Sequence, residues 1–174
     1  CVLFAYTFDR TQLVNKLLEV KSNGAKVRVG IDCERCNLST SNFLQKRQLY
    51  KLVSGGVEDV TLIRGVPDVR EEYRADGHDC SSAGLQGIQH WKTFRLRNYL
   101  VVGSANWTTS SRCNVETSVL LCLSEQGLAA CRAREEVHCN SGIKAEALEI
   151  KASLRSKGIT EESFPDLAGS SQVD

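Results

Sequence analysis

Strong charge of either sign is missing from this chain. Its 22 lysines and arginines nearly cancel its 21 acids, leaving a formal net charge of +1. A surface built to bind polyanions in general is therefore not indicated, and any attraction to phosphate must be local. Aromatic residues are scarce at 6%, and no basic stripe runs among them, which argues against a stacking groove for single-stranded nucleic acid. No run of about eighteen apolar residues occurs, so no membrane-spanning helix is expected, and no amphipathic anchor stands out. Neither a signal nor a transit peptide is visible. The sequence opens on Cys1 with an apolar run already under way, and a natural N-terminal segment, with a first strand and helix, is expected to precede it.

Eight cysteines are many, but they are scattered along a chain long enough to bury a core of its own, unlike the compact scaffolds that disulfides hold together. Mostly reduced thiols are expected, and an intracellular setting, cytoplasmic or mitochondrial-associated, is favoured. Cys33-Glu-Arg-Cys36 is the one tight pair. His78-Asp-Cys80 could complete a zinc site with it, or the pair could act in redox chemistry, but no second CxxC exists and a long stretch of chain intervenes. No metal and no cofactor is expected.

What is present reads as an α/β alternation. Residues 1–8 (CVLFAYTF) form an apolar, aromatic run suited to a buried strand. Asp9 or Thr11 is placed to cap a following helix, whose face is set by Leu13, Val14, Leu17 and Leu18 and which Asn23-Gly24 ends. Residues 25–31 (AKVRVGI) read as a strand. Strand, helix and strand make a βαβ unit with a parallel pair. A second alternation follows, with a helix over 41–53, a stop at Gly55-Gly56 and a strand over 57–63. Residues 65–87 are polar and glycine-rich and read as a long loop. Two short apolar segments then flank a turn at Arg97-Asn98. Residues 115–123 read as another strand, and 125–157 as helix, broken near Asn140-Ser141-Gly142. The end, 158–174, is a polar tail. There are no internal repeats. The class is α/β with a mixed sheet.

One stretch does not fit ordinary strand patterning: QHWKTFRLRNYLVVGSANWT, residues 89–108. Residues two apart on a strand face the same side, so His90 and Lys92 project together. Ser104 and Asn106 share a parity just past Gly103, and Asn114 and Glu116 share one at the start of the next strand. If the segments pair about Arg97-Asn98, these groups converge at one end of the sheet. A neutral imidazole is a nucleophile and a proton carrier. Lysine supplies fixed positive charge, and asparagine and serine supply neutral donors. Together they describe a pocket for a tetrahedral anion whose charge grows as a nucleophile attacks. Glu116 could hold the imidazole in the required tautomer. No cluster of Asp and Glu is nearby, so metal-assisted phosphoryl chemistry is not suggested. Trp107 is expected to pack at the rim of the motif.

His90-x-Lys92, Gly103-Ser104-x-Asn106-Trp107-Thr108 and Asn114-x-Glu116 together resemble the HxK…GSxN signature of the phospholipase D superfamily. The stretch LFAYTFDRTQLVNKLLEVKSNGAKVRVGID resembles the strand–helix–strand opening of that fold, closing on its acid at Asp32. The resemblance runs from about Val2 to Leu123. It implies a mixed sheet flanked by helices on both faces, a phospholipase D-like phosphodiesterase domain over residues 1–157, and metal-independent hydrolysis through a phosphohistidine at His90. In that scheme His90, Lys92, Asn106 and Glu116 are catalytic, and Lys92, Ser104 and Asn106 bind the substrate phosphate. The chain carries one copy of the motif. It is thus similar to the single-copy branch, which includes bacterial nonspecific endonucleases and mitochondrial cardiolipin hydrolase and in which a homodimer completes the site. The implied substrate is a phosphodiester of a phospholipid, cardiolipin-like, or of a nucleic acid. One departure stands out: the family pattern HxK-x4-D places its Asp where this chain has Arg97. The alternative function is therefore a catalytically impaired relative that binds such ligands without turnover. Because position 97 has the opposite parity to His90 and Lys92, the exchange is expected to act on the hairpin turn more than on the chemistry, while Arg95 and Arg97 add positive charge near the site.

Overall fold

The apolar opening of the chain becomes the middle of a sheet. Strand β1 (Val2–Ala5) is buried at every position, as a continuous apolar run without polar alternation requires. The structure, a computed structural model, describes residues 1–33, 43–63, 88–156 and 158. Among these, β1 is followed by α1 (Thr11–Ser22), β2 (Arg28–Asp32), α2 (Phe43–Ser54) and β3 (Asp59–Ile63). A hairpin of β4 (Thr93–Leu96) and β5 (Tyr99–Gly103) comes next, then β6 (Ser118–Cys122), α3 (Glu125–Asn140), β7 (Ile143–Lys144) and α4 (Ala147–Arg155). The described strands form one seven-stranded sheet in the order β6-β5-β4-β1-β2-β3-β7. The pairs β1–β2 and β2–β3 are parallel, and the remaining neighbours are antiparallel. The fold is thus the mixed α/β sheet that the sequence implies.

Alternation along the central strands divides the core in two. Leu3, Ala5, Val29, Ile31 and Val60 turn to one face, where Val14 and Leu17 of α1, Leu49 and Leu52 of α2, and Ile150 and Leu154 of α4 cover them. Val2, Phe4 and Ile63 turn to the other face and meet Cys139 of α3 and Trp91. Helices therefore lie on both faces, but unequally. Helix α3 buries only Glu135, His138 and Cys139. Much of its attachment is ionic: both oxygens of Glu135 accept from Arg95, each at 2.6 Å, and Glu136 accepts from Arg28 at 2.8 Å.

Several local expectations change. Neither Asp9 nor Thr11 caps α1; the N-cap is Arg10, with no side-chain hydrogen bond. The Asp9 carboxylate instead accepts from the backbone and hydroxyl of Thr109, and the Thr11 hydroxyl accepts from Gln48. Tertiary partners outcompete the local cap at both positions. The first strand stops at Ala5, and Phe8 reappears only as a single bridge to Trp107. The long C-terminal helical stretch is divided by β7, where Ile143 pairs with Leu62. Two residues carry no periodicity, so no pattern announces that strand. The Cys36, His78 and Cys80 proposed for zinc, the 65–87 loop and nearly all of the polar tail lie outside the described residues. Among the described residues Cys1, Cys33, Cys113, Cys122, Cys131 and Cys139 are free thiols.

Candidate active site

Strand β4 begins at Thr93, so His90 and Lys92 occupy its extended lead-in rather than the strand itself. Three bonds fix that lead-in. The Gln89 amide donates to the buried Asp32 carboxylate at the end of β2, at 2.7 Å. The Trp91 amide donates to the side-chain oxygen of Gln89. The Lys92 ammonium donates to the His90 carbonyl at 2.9 Å. Trp91 turns inward, edge-on to Phe4 and to His138, and this inward turn leaves His90 exposed.

The two principal groups meet on Tyr6. The His90 ring lies 4.8 Å from the Tyr6 ring, and the Lys92 nitrogen stands 5.3 Å above that same ring. Lys92 is only 7% exposed, a burial that its apolar stem tolerates while its ammonium reaches the site. The His90 pKa is held below the ordinary imidazole range, first by partial burial and then by the Lys92 charge, with Asp32 opposing. Burial also lowers the Lys92 pKa, against the pull of Glu116. Tyr6 escapes sequence reasoning because it sits inside an apolar run; its polar tip at the C-terminal edge of a buried strand is the signal that could have found it.

The second half of the site grows from the end of β5. A side chain at Gly103 would place Cβ 2.3 Å from the Ser118 hydroxyl and 2.9 Å from the Thr117 carbonyl, so β5 and β6 close only with glycine there. Past it, the Ser104 amide donates to the Thr117 carbonyl at 3.0 Å, and the Thr117 amide donates to the Ser104 hydroxyl at 3.1 Å. The Ser104 hydroxyl in turn donates to one oxygen of Glu116, and the Asn114 side chain donates to the other at 3.0 Å. These bonds, that from Ser104 foremost, hold the Glu116 pKa low, and the Lys92 charge adds to the effect. Asn106 is half-buried, and its amide oxygen is buried without a hydrogen-bond partner among the described residues. Trp107 clamps this loop to β1: its indole donates to the Phe4 carbonyl at 3.3 Å, its ring meets Phe94, and its backbone pairs with Thr7 and Asp9.

Three differences from the sequence expectations concern the site. Asn114 and Glu116 precede β6, which starts at Ser118, and follow a 3-10 turn over Ser110–Cys113. Glu116 bonds Ser104 and Asn114 within the chain rather than the His90 imidazole, because antiparallel pairing sets residue 116 against the end of β5. Arg95 adds no free charge to the site, since it is buried in its pair with Glu135. Arg97 lies in the hairpin turn, at the end of β4 away from His90, with a left-handed φ of 55°. Among the described residues there is no group of His, Cys, Asp and Glu able to hold a metal ion, and no helix is long and apolar enough to cross a membrane.

Comparison with known proteins places this geometry in context. A family model described as cardiolipin synthase, PLD-like domain, matches residues 1–130. No curated protein matches the chain in sequence. Among solved structures, NucT from Helicobacter pylori superposes with a TM-score of 0.63 at 20% identity, covering 83% of this chain and 80% of that one. Nuc from Salmonella typhimurium, a phospholipase D family member, superposes with a TM-score of 0.62 at 20% identity over the same shares. At that identity the likeness to the two structures is one of fold.

Proposed function

Since the chain belongs to the phospholipase D-like family, we propose that it hydrolyses phosphodiesters through His90 without a metal ion. The observation that carries the proposal is the meeting of an exposed imidazole and a buried ammonium on the Tyr6 ring. An imidazole held below its ordinary pKa is neutral, and so nucleophilic, at neutral pH. A lone pair of His90 attacks phosphorus, and the bond from phosphorus to the departing alcohol oxygen breaks. Charge then grows on the remaining phosphoryl oxygens, where the Lys92 ammonium and the Asn106 amide are the available donors. The Ser104 hydrogen already goes to Glu116, so Ser104 serves as a strut. Glu116 fixes that strut and balances the charge of Lys92.

The departing oxygen needs a proton, and the attacking water must later lose one. His138 does not face the site, being buried behind Trp91. The proposal therefore brings the second imidazole from the His90 of a second chain, in a homodimer with two-fold symmetry. The two His90 rings share one proton: the neutral one attacks, and the protonated one gives its proton to the alcohol, then takes one from the water that splits the phosphohistidine. The products are an alcohol and a phosphomonoester, and His90 is restored.

The rival, a relative that binds phosphodiesters without turnover, draws on Arg97. Its place in the turn beyond β4 weakens that case. Cleavage of bis(p-nitrophenyl) phosphate in excess chelator separates the two. Turnover that persists with EDTA and falls by at least about 10⁴-fold in His90→Ala is the expected result. Binding without wild-type turnover would favour the rival, and a His90→Ala rate equal to wild type would remove His90 from the chemistry.

A further inference from the structure

A cavity of about 500 Å³ opens between α3 and the β4–β5 hairpin, and His90 and Lys92 form part of its wall. Its volume is in the range of small-molecule sites. Thr93 and Arg95 of β4 pair across the ladder with Val102 and Leu100 of β5. These four share one face of the sheet, the face from which Arg95 reaches Glu135 of α3. The helix answers with Gly127, Cys131, Arg134 and Glu135. Their spacing, i, i+4, i+7 and i+8, keeps them on one side of α3.

The charges of this wall do not balance. Glu135 is the one acid among its described residues, and Arg95 takes both its oxygens. No free carboxylate is left there to repel an anion. Arg134 is on the same side of the helix, yet it is exposed and has no ion-pair or hydrogen-bond partner among the described residues. The half-buried Thr93 side chain likewise makes no hydrogen bond among them. The wall therefore offers a cation and a hydroxyl that the reacting pair does not use. A guanidinium is a planar fork of donors that matches the oxygens of a phosphate. The apolar surface of Leu100, Val102 and Leu123 in the same wall leaves such a contact less screened than one in open water.

Resting on the phosphodiesterase function proposed above, we infer that Arg134 determines specificity by holding a second phosphate of the substrate, with Thr93 beside it, while the scissile diester lies against His90 and Lys92. The substrate class is then a diester that carries another phosphate within the span of the cavity. Neighbouring phosphates on a nucleoside and paired phosphates on a glycerol both meet that description, and the pairing is what Arg134 reads.

The test uses two pairs of chromogenic substrates. One is the p-nitrophenyl ester of thymidine 5′-phosphate, with and without a 3′-phosphate. The other is the p-nitrophenyl ester of glycerol 1-phosphate, with and without a 3-phosphate. The leaving group is the same throughout, so the members of a pair differ only in the second phosphate. The wild type should prefer the doubly phosphorylated member of at least one pair in kcat/KM by at least about tenfold, the scale of one hydrogen bond to a charged group. The pair with the larger ratio identifies the source of the phosphates as nucleotide or glycerol. Arg134→Gln should bring that ratio close to one, and Arg134→Lys, which keeps the charge without the fork, should keep part of it. A wild-type ratio near one in both pairs overturns the inference. So does a ratio that survives Arg134→Gln, including one that survives because activity on both members falls equally. If the wild type cleaves none of the substrates, the hydrolase function has failed and the subsite is tested by calorimetric binding of thymidine 3′,5′-bisphosphate and glycerol 1,3-bisphosphate against their monophosphates. Tighter binding of a bisphosphate that Arg134→Gln abolishes then supports the subsite, and equal affinities overturn it.

Discussion

His90 has to be both exposed and neutral, and its neighbours arrange both. Trp91 turns inward and Lys92 folds back onto the His90 carbonyl, which leaves the ring between solvent and Tyr6. Partial burial and the Lys92 charge lower its pKa, so the acidic limb of turnover, where the attacking His90 becomes protonated, should lie below that of a free imidazole, and turnover should fall again at higher pH as the partner's His90 loses the proton it donates. Titration of the histidine ring signals by NMR measures this directly. His90 should titrate below free imidazole, and Lys92→Met, by removing one of the two causes, should move it upward. A His90 that titrates at or above the free value, or one indifferent to Lys92, would contradict the electrostatic assignment. His90, Lys92, Ser104, Asn106 and Glu116 could all be picked out in the sequence because polar groups interrupt apolar segments there. What each one touches could not. Glu116 turns to Ser104 because of strand register, a long-range property, and Tyr6 joins the site only because β1 ends beside the lead-in to β4.

At the level of elements, the β4–β5 hairpin carries both halves of the site, and its turn is made by Arg97 and Asn98. Arg97 adopts φ 55°, a conformation that costs a residue with an ordinary side chain roughly 1 kcal/mol and that asparagine tolerates better. Arg97→Asn should therefore raise unfolding stability by about 1 kcal/mol in urea and leave turnover within about twofold. Unchanged stability with a large gain in turnover would place residue 97 in the chemistry after all. The hairpin itself was legible, because two short apolar runs flank a turn dipeptide. So were β1 and β2, whose apolar runs fit a doubly covered sheet. Helix α1 was legible as an element but not in its cap, since Asp9 is drawn away by Thr109. The two residues of β7 are recruited by β3 and have no pattern of their own. Helix α3 is attached by ion pairs more than by an apolar stripe, so its sequence resembles a solvated helix.

For the whole molecule, the question is how many imidazoles one site needs. A single chain supplies one exposed histidine among its described residues, while Val119, Leu120 and Leu121 leave the β6 edge with exposed apolar surface, a feature of faces that pair with other chains. If each site uses the His90 of two chains, mixing wild-type and His90→Ala subunits and allowing exchange should lower activity as the square of the wild-type fraction. A linear fall would mean that one chain suffices. The central claim is narrower than the dimer, since it is that His90 itself becomes bonded to phosphorus. Rapid quenching of the wild type during turnover, followed by mass spectrometry of alkaline-stable peptides, tests it most directly. The account predicts a phosphoryl adduct on the peptide that contains His90, at His90, during steady turnover. Sustained turnover with no adduct there, or with the adduct on another residue, would contradict it.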